Sequence, residues 1–249
     1  MARADRAGAV GVSEASTRSM HDTQDIAGMA TSAAFPKLVL FDLDGTLLDS
    51  APDMLATVNR MRAARGQGPM ALDVLRPQVS KGSRAMSATA FPELGGEVPA
   101  EMIREFLDIY EQELGKHSVL FDGVVELLDV IEAAGSRWGI VTNKPEYLAR
   151  QVLPRLGWES RCAILIGGDS LPRRKPDPLP LLHAAQMLGV AIADCVYVGD
   201  DQRDIDAARA AGMRSLVALW GYRPEGDDPA GWGGDVLVAS ARELIAGIG

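Results

Sequence analysis

The first clear order in the hydrophobic pattern starts at Lys37. Residues 37–41 form a short apolar run that ends on Asp42, the signature of a central strand buried on both faces. From 51 to 115 the pattern changes to helical spacing alone. Met54, Leu55, Val58 and Met61 recur on one face of a helix over 51–65, and Gly66-Gln67-Gly68-Pro69 ends it. Residues 71–79, 84–91 and 100–114 read as further helices. Beyond Phe121 strands and helices alternate. Helices are expected over 124–134, 145–156, 179–188 and 203–211, and strands over 137–141, 163–166, 195–198, 215–219 and 235–238, before a C-terminal helix. Such alternation predicts an α/β chain with a Rossmann-like parallel sheet and helices on both faces. The helical block interrupts it just after the first strand. The expected division is a core from 35–51 and 122–249, a helical cap over 52–121, and a disordered tail over 1–34. The tail has no Leu, Phe, Trp or Tyr, so it buries too little apolar surface to offset its ordering entropy.

Composition narrows the class. The 249 residues are 47% hydrophobic, enough for a sizeable core. With 25 Lys+Arg against 34 Asp+Glu the net charge is −9, which argues against nucleic acid as a partner, because a phosphate backbone needs a basic face. No window approaches the roughly 18 apolar residues of a membrane span, and residues 1–34 lack the apolar stretch of a secretory signal. A cytoplasmic protein, monomeric or homodimeric, is expected. Cys162 and Cys195 are too few for a disulfide framework and are expected as buried thiols. His21, His117 and His183 are too scattered for a histidine metal centre, and His183 reads as a packing residue.

Four polar clusters follow strands. They are Asp42-Leu43-Asp44-Gly45-Thr46, Thr142-Asn143-Lys144, Lys175-Pro176-Asp177-Pro178 and Gly199-Asp200-Asp201-Gln202-Arg203-Asp204. In an open α/β sheet such positions converge at the carboxyl edge, where ligands bind. Taken singly, each has a plainer reading: Lys175 as a loop lysine, Asp200 and Asp201 as helix N-caps. Taken together they are carboxylates crowded beside one lysine, which repel one another unless a cation is bound. Oxygen donors of this kind suit Mg²⁺, and with a lysine and a threonine hydroxyl they suit a phosphate dianion. Asp42 could then attack phosphorus as a carboxylate nucleophile, with Asp44 as acid and later base. A calcium loop is disfavoured, because its sixth and twelfth positions would be Leu47 and Asp53 instead of Gly and Glu. The Gly66–Ala71 stretch has dinucleotide-like spacing but follows a helix.

These residues resemble the haloacid dehalogenase superfamily of phosphohydrolases. Asp42 to Thr46 resembles its first motif, Thr142-Asn143 its second, Lys175 its third, and Gly199-Asp200 with Asp204 its fourth. The resemblance implies an aspartyl-phosphate on Asp42, with Asp44 as general acid/base. It implies Mg²⁺ held by Asp42, Asp200 and the backbone carbonyl of Asp44, and a phosphoryl group held by Thr142, Asn143 and Lys175. Thr46, Asp201 and Asp204 would support these groups, Asp204 by orienting Lys175 or a metal-bound water. The helical block is similar to a mobile C1-type cap.

Within the superfamily, Asp49-Ser50-Ala51-Pro52-Asp53 and the run at 204–208 are similar to phosphoglycolate phosphatases. A narrower likeness is to bacterial N-acetylmuramic acid 6-phosphate phosphatases of peptidoglycan recycling. It is carried by Val79-Ser80-Lys81-Gly82-Ser83-Arg84-Ala85-Met86, by the segment from Trp138 to Pro145, by Trp220-Gly221-Tyr222 and by Trp232-Gly233-Gly234-Asp235. Lys81 departs from the glycine expected there. The implied partner is a small acidic phosphometabolite, N-acetylmuramic acid 6-phosphate first and 2-phosphoglycolate second, with Ser83 and Arg84 reading it from the cap. Arg84 would pair with the substrate carboxylate, or else lie in solvent. A phosphosugar mutase and a non-catalytic phospho-ligand binding protein are the competing classes.

Overall fold

Leu38–Phe41 forms β1, and all four of its side chains are buried. Its alternate residues serve two different layers. Val39 and Phe41 pack with Leu127, Leu128 and Ile131 of α5 (Val124–Ala133) and with Leu148, Ala149 and Val152 of α6 (Glu146–Leu156). Leu38 and Leu40 pack with Leu181, Ala184 and Ala185 of α7 (Leu179–Met187) and with Ala207 and Ala208 of α8 (Gln202–Ala211). A strand apolar on both faces can be satisfied only between two helical layers. Each fully buried Leu or Phe there contributes roughly 1.5–3 kcal/mol. The structure, a computed structural model, describes residues 36–223 and 226–246, so the tail expected over 1–34 and His21 lie outside the described residues.

Five strands join β1 in one all-parallel sheet: β4 (Arg137–Val141), β5 (Leu165–Ile166), β6 (Cys195–Gly199), β7 (Arg214–Ala218) and β8 (Val236–Val238). The order is β5-β4-β1-β6-β7-β8, with β1 paired to β4 on one side and β6 on the other. The chain order therefore reverses across β1, and the crevice at its carboxyl end is the expected ligand position of such a sheet. This is the expected Rossmann-like α/β core. Trp138 and Trp158 meet edge to face at 5.3 Å within it, and the Trp138 indole N–H donates to Glu132 at 2.7 Å. A terminal helix, α9 (Ala241–Ala246), closes the described chain.

Between β1 and α5 lies a helical insert: α1 (Ala51–Ala64), α2 (Leu72–Leu75), α3 (Ser83–Ala90) and α4 (Ala100–Glu113). The helix expected over 71–79 is shorter, and a 3₁₀ turn follows over Arg76–Gln78, because Pro77 lacks the N–H that would continue it. The insert begins and ends at a two-stranded antiparallel ribbon absent from the expected elements: β2 (Leu48–Asp49) against β3 (Val119–Leu120). Strands of two residues are too short to show alternation. Cys195 is buried, but Cys162 is only half-buried, which corrects the expectation for that thiol; burial pushes both up to about 11. Half-buried His183 sits on α7. Among the described residues no helix is long and apolar enough to cross a membrane.

Asp53, in the first turn of α1 and wholly buried, ties both ends of the insert together. It accepts the Gly115 and His117 backbone N–H groups at 2.6 Å each, and the Ser118 hydroxyl. Asp53→Ala would take one charged acceptor away from all three donors. It is expected to cost about 3 kcal/mol, read in a thermal melt as a Tm lower by roughly 6–12 °C for a chain of this size.

Candidate active site

The carboxyl ends of β1, β4 and β6 deliver the site. Directly after β1, the Asp42 N–H donates to Val198 of the neighbouring strand at 2.9 Å, which keeps the backbone in sheet register up to the carboxylate. After β6 come Asp200 and, one helical turn into α8, Asp204. Carboxylate oxygens of Asp42, Asp200 and Asp204 lie within 4.8 Å of one another, and all three residues are buried. Lys175 reaches into the same space, its Nζ 3.1 Å from Asp42 and 2.6 Å from Asp204. Its ammonium also donates to the Tyr197 hydroxyl at 2.7 Å. Burial pushes the Lys175 pKa down, yet the Asp204 and Asp42 charges beside it hold it above the ordinary lysine value.

Asp200 is the most constrained of the group. It accepts from the Thr46 hydroxyl at 3.1 Å, the Ser80 hydroxyl at 3.0 Å and the Tyr222 N–H at 2.8 Å. Burial, then the charges of Asp42 and Asp204, push its carboxyl far above the usual range. Gly45, at φ +89°, and Gly221 both lie against it, and a Cβ on either would overlap the Asp200 carboxylate. Burial likewise pushes Asp204 up, and the Lys175 charge limits the rise. An excess of buried negative charge made of hard oxygen donors is the chemistry that accepts a divalent cation. The residues present fit one. The expected protein carboxylates, Asp42 and Asp200, are both in the cluster; Asp204 joins them, and the Asp44 side chain faces elsewhere.

Asp44 accepts the Ser50 hydroxyl at 2.6 Å and pairs with Lys144, whose Nζ lies 3.1 Å from both carboxylate oxygens. At the end of β4 the Thr142 side chain is buried, its hydroxyl accepting the Lys144 N–H at 3.2 Å. The Asn143 amide donates to the Lys175 carbonyl at 3.0 Å, which links the second and third clusters, and its Oδ1 is buried without a partner. Asp201 caps α8: its side chain accepts the Arg203 N–H at 3.0 Å, while Asp204 accepts the Asp201 N–H at 3.1 Å. The plainer reading therefore holds for Asp201, a cap paired with Arg203, and not for Asp200 or Lys175.

Over this edge the insert encloses a cavity of about 390 Å³. Asp42, Asp44, Thr142 and Asn143 line its floor, and Met86, Phe106 and Leu107 line part of its roof. Ser83, Arg84 and Lys81 also face it. Arg84 is exposed, and its guanidinium donates to the Val98 carbonyl at 2.8 Å, one brace within the insert. Ser80, Tyr222, Tyr110 and Lys144 were not singled out as site residues by sequence. Lys144 had a signal in its place beside Thr142-Asn143, and Ser80 and Tyr222 in the segments that carry the family likeness; Tyr110 is brought in only by tertiary packing.

A buried carboxylate cluster with one lysine, at the carboxyl edge of a parallel sheet and under a helical insert, defines a class of hydrolase. The chain belongs to the haloacid dehalogenase-like hydrolases, whose family model matches residues 39–218, and its relatives make it a phosphatase. It is 62% identical to a phosphoglycolate phosphatase of Xylella fastidiosa over 85% of this chain and 92% of that one. It is 46% identical to an N-acetylmuramic acid 6-phosphate phosphatase of Pseudomonas aeruginosa, over 84% of this chain and 93% of that one. A predicted phosphoglycolate phosphatase of Haemophilus somnus superimposes with a TM-score of 0.75 at 26% identity, covering 86% of this chain and 98% of that one.

Removing one charge from the cluster separates its two energetic roles. Asp200→Asn relieves the buried repulsion, so the variant in chelator is expected to melt no lower than wild type. Saturating MgCl₂ is expected to raise the wild-type Tm by roughly 5–10 °C and to leave the variant unmoved, a contrast read by differential scanning fluorimetry.

Proposed function

We propose that the protein is an Mg²⁺-dependent phosphomonoester hydrolase that works on small acidic phosphometabolites through an aspartyl-phosphate on Asp42. The observation that carries this reading is the buried meeting of Asp42, Asp200, Asp204 and Lys175 beneath the cavity. An Asp42 carboxylate oxygen attacks phosphorus, and the bond from phosphorus to the ester oxygen breaks. Asp44 gives its proton to the departing alkoxide. Water then attacks the same phosphorus, Asp44 takes the water's proton, and the bond to Asp42 breaks to release inorganic phosphate. Lys175, Thr142 and Asn143 hold the phosphoryl oxygens, where charge spreads in the transfer step. Asp204 orients Lys175, and Thr46 orients Asp200. Mg²⁺, held by Asp42, Asp200 and the Asp44 backbone carbonyl, supplies further neutralisation of phosphoryl charge when bound. The helices over 52–121 act as a cap that excludes water from this chemistry.

For the substrate, relatives at 62% identity carry the name phosphoglycolate phosphatase, which moves 2-phosphoglycolate ahead of the N-acetylmuramic acid 6-phosphate ranked first from sequence. One observation favours the latter as a second reading. A cavity of about 390 Å³ falls in the range of roughly 300–1,000 Å³ that encloses ligands far larger than a two-carbon acid. Both candidates present a carboxylate, and braced Arg84 is the cation offered to it. Phosphate release measured on the two substrates, with isomer formation followed in parallel, decides between them and against a mutase. Asp42→Asn is expected to abolish release from either, and residual phosphatase activity in that variant would overturn the covalent route. Arg84→Ala is expected to lower kcat/KM for the acidic substrate about 10–100-fold, the worth of one charge-assisted hydrogen bond, while glucose 6-phosphate hydrolysis stays constant.

A further inference from the structure

Lys144 is a buried cation that the scheme above does not use. It follows Asn143 at the carboxyl edge of β4, and its side chain is only 2% exposed. An ammonium has three donors and no acceptor, so each must find a partner when water is withdrawn. Two contacts go to Asp44, at 3.1 Å to each oxygen. The third goes to the hydroxyl of Tyr110 on α4, whose ring centroid lies 4.4 Å from the same nitrogen. Tyr110 is itself buried, so the contact joins the floor of the site to the insert above it. Ser50, just before the chain enters α1, also donates to Asp44 at 2.6 Å. Lys144 makes no ion pair with Asp42, Asp200 or Asp204 among the described residues, where Lys175 already fills the role of counter-charge.

We propose that Lys144 is a positioning residue that aims the Asp44 carboxyl at the departing oxygen and, through Tyr110, makes that aim depend on the seating of the helical insert. The proposal rests on the reading of Asp44 as the proton donor. A carboxyl held only by Ser50 could rotate about its side-chain bonds, and loss of aim of about 1 Å is enough to cost on the order of 10²-fold in proton delivery. In this role the ammonium moves no proton.

The test compares phenyl phosphate with p-nitrophenyl phosphate, two esters of similar size that lack a carboxylate and differ in how much the leaving oxygen needs a proton. In Lys144→Met, kcat/KM for phenyl phosphate is expected to fall about 10-fold further than for p-nitrophenyl phosphate. Tyr110→Phe, which keeps the ring and loses the hydroxyl, is expected to shift the ratio in the same direction by less. Equal losses on both esters, or no loss, would overturn the proposal. Should Lys144→Met fail to fold, as circular dichroism would show, Tyr110→Phe decides by the same ratio. Asp44→Asn is run alongside. If it shows no preference for the better leaving group, the proton-donor reading has failed. If it shows that preference and Lys144→Met loses both esters equally, only the positioning role has failed.

Discussion

Repulsion among three buried carboxylates is the constraint around which this molecule is organised. Their oxygens lie within 4.8 Å of one another, and a single ammonium, that of Lys175, touches two of them. Left to itself such a cluster would spread apart or take up protons. Here it is prevented from spreading. Asp42 is held by sheet register, Asp204 by the first turn of α8, and Asp200 by three donors from three separate segments. The arrangement resists relaxation, which is the condition for a strong preorganised field at a point where charge will develop.

The sheet makes that resistance possible. Because β1 lies in the middle of six parallel strands and is apolar on both faces, its end cannot shift without disturbing two helical layers. Glycine matters at two places for a steric reason. At 45 and at 221 a side chain would occupy the volume of the Asp200 carboxylate, so the loops after β1 and β7 can close on it only as bare backbone. The helical insert is tied to this floor by short polar links: Ser80 to Asp200, Tyr110 to Lys144.

The core elements and most of the cluster were legible in the sequence because three of the four polar motifs directly follow an apolar run long enough to announce a strand. Asp42, Asp44 and Asp200 needed only that positional rule, whereas Lys175 lies well downstream of the short strand Leu165–Ile166 and rested on the family resemblance. The ribbon of Leu48–Asp49 with Val119–Leu120 was not legible, since its pairing spans the whole insert and each strand has two residues. Nor could the run from 71 to 79 reveal that Pro77 divides it until the chain's direction there was known. Asp53 entered the sequence reading only as part of the Asp49–Asp53 run, and its three donors come from residues more than sixty positions away. Asp201 and Asp200 are neighbours with the same side chain, and only folding separates the helix cap from the buried member of the cluster. The cavity was least legible, for its roof is the shape that α1, α3 and α4 make together.

The central place of β1 has a consequence for how the chain comes off the ribosome. Its hydrogen-bonding neighbours start at Arg137 and Cys195, so this greasy tetrapeptide must wait through about a hundred residues of synthesis before the nearer one emerges. The insert, whose contacts are largely local, can collapse during that interval and shield it. A chain that ends short of Asp200 thus carries Asp42 and its counter-charge Lys175 but neither of the two carboxylates that complete the cluster.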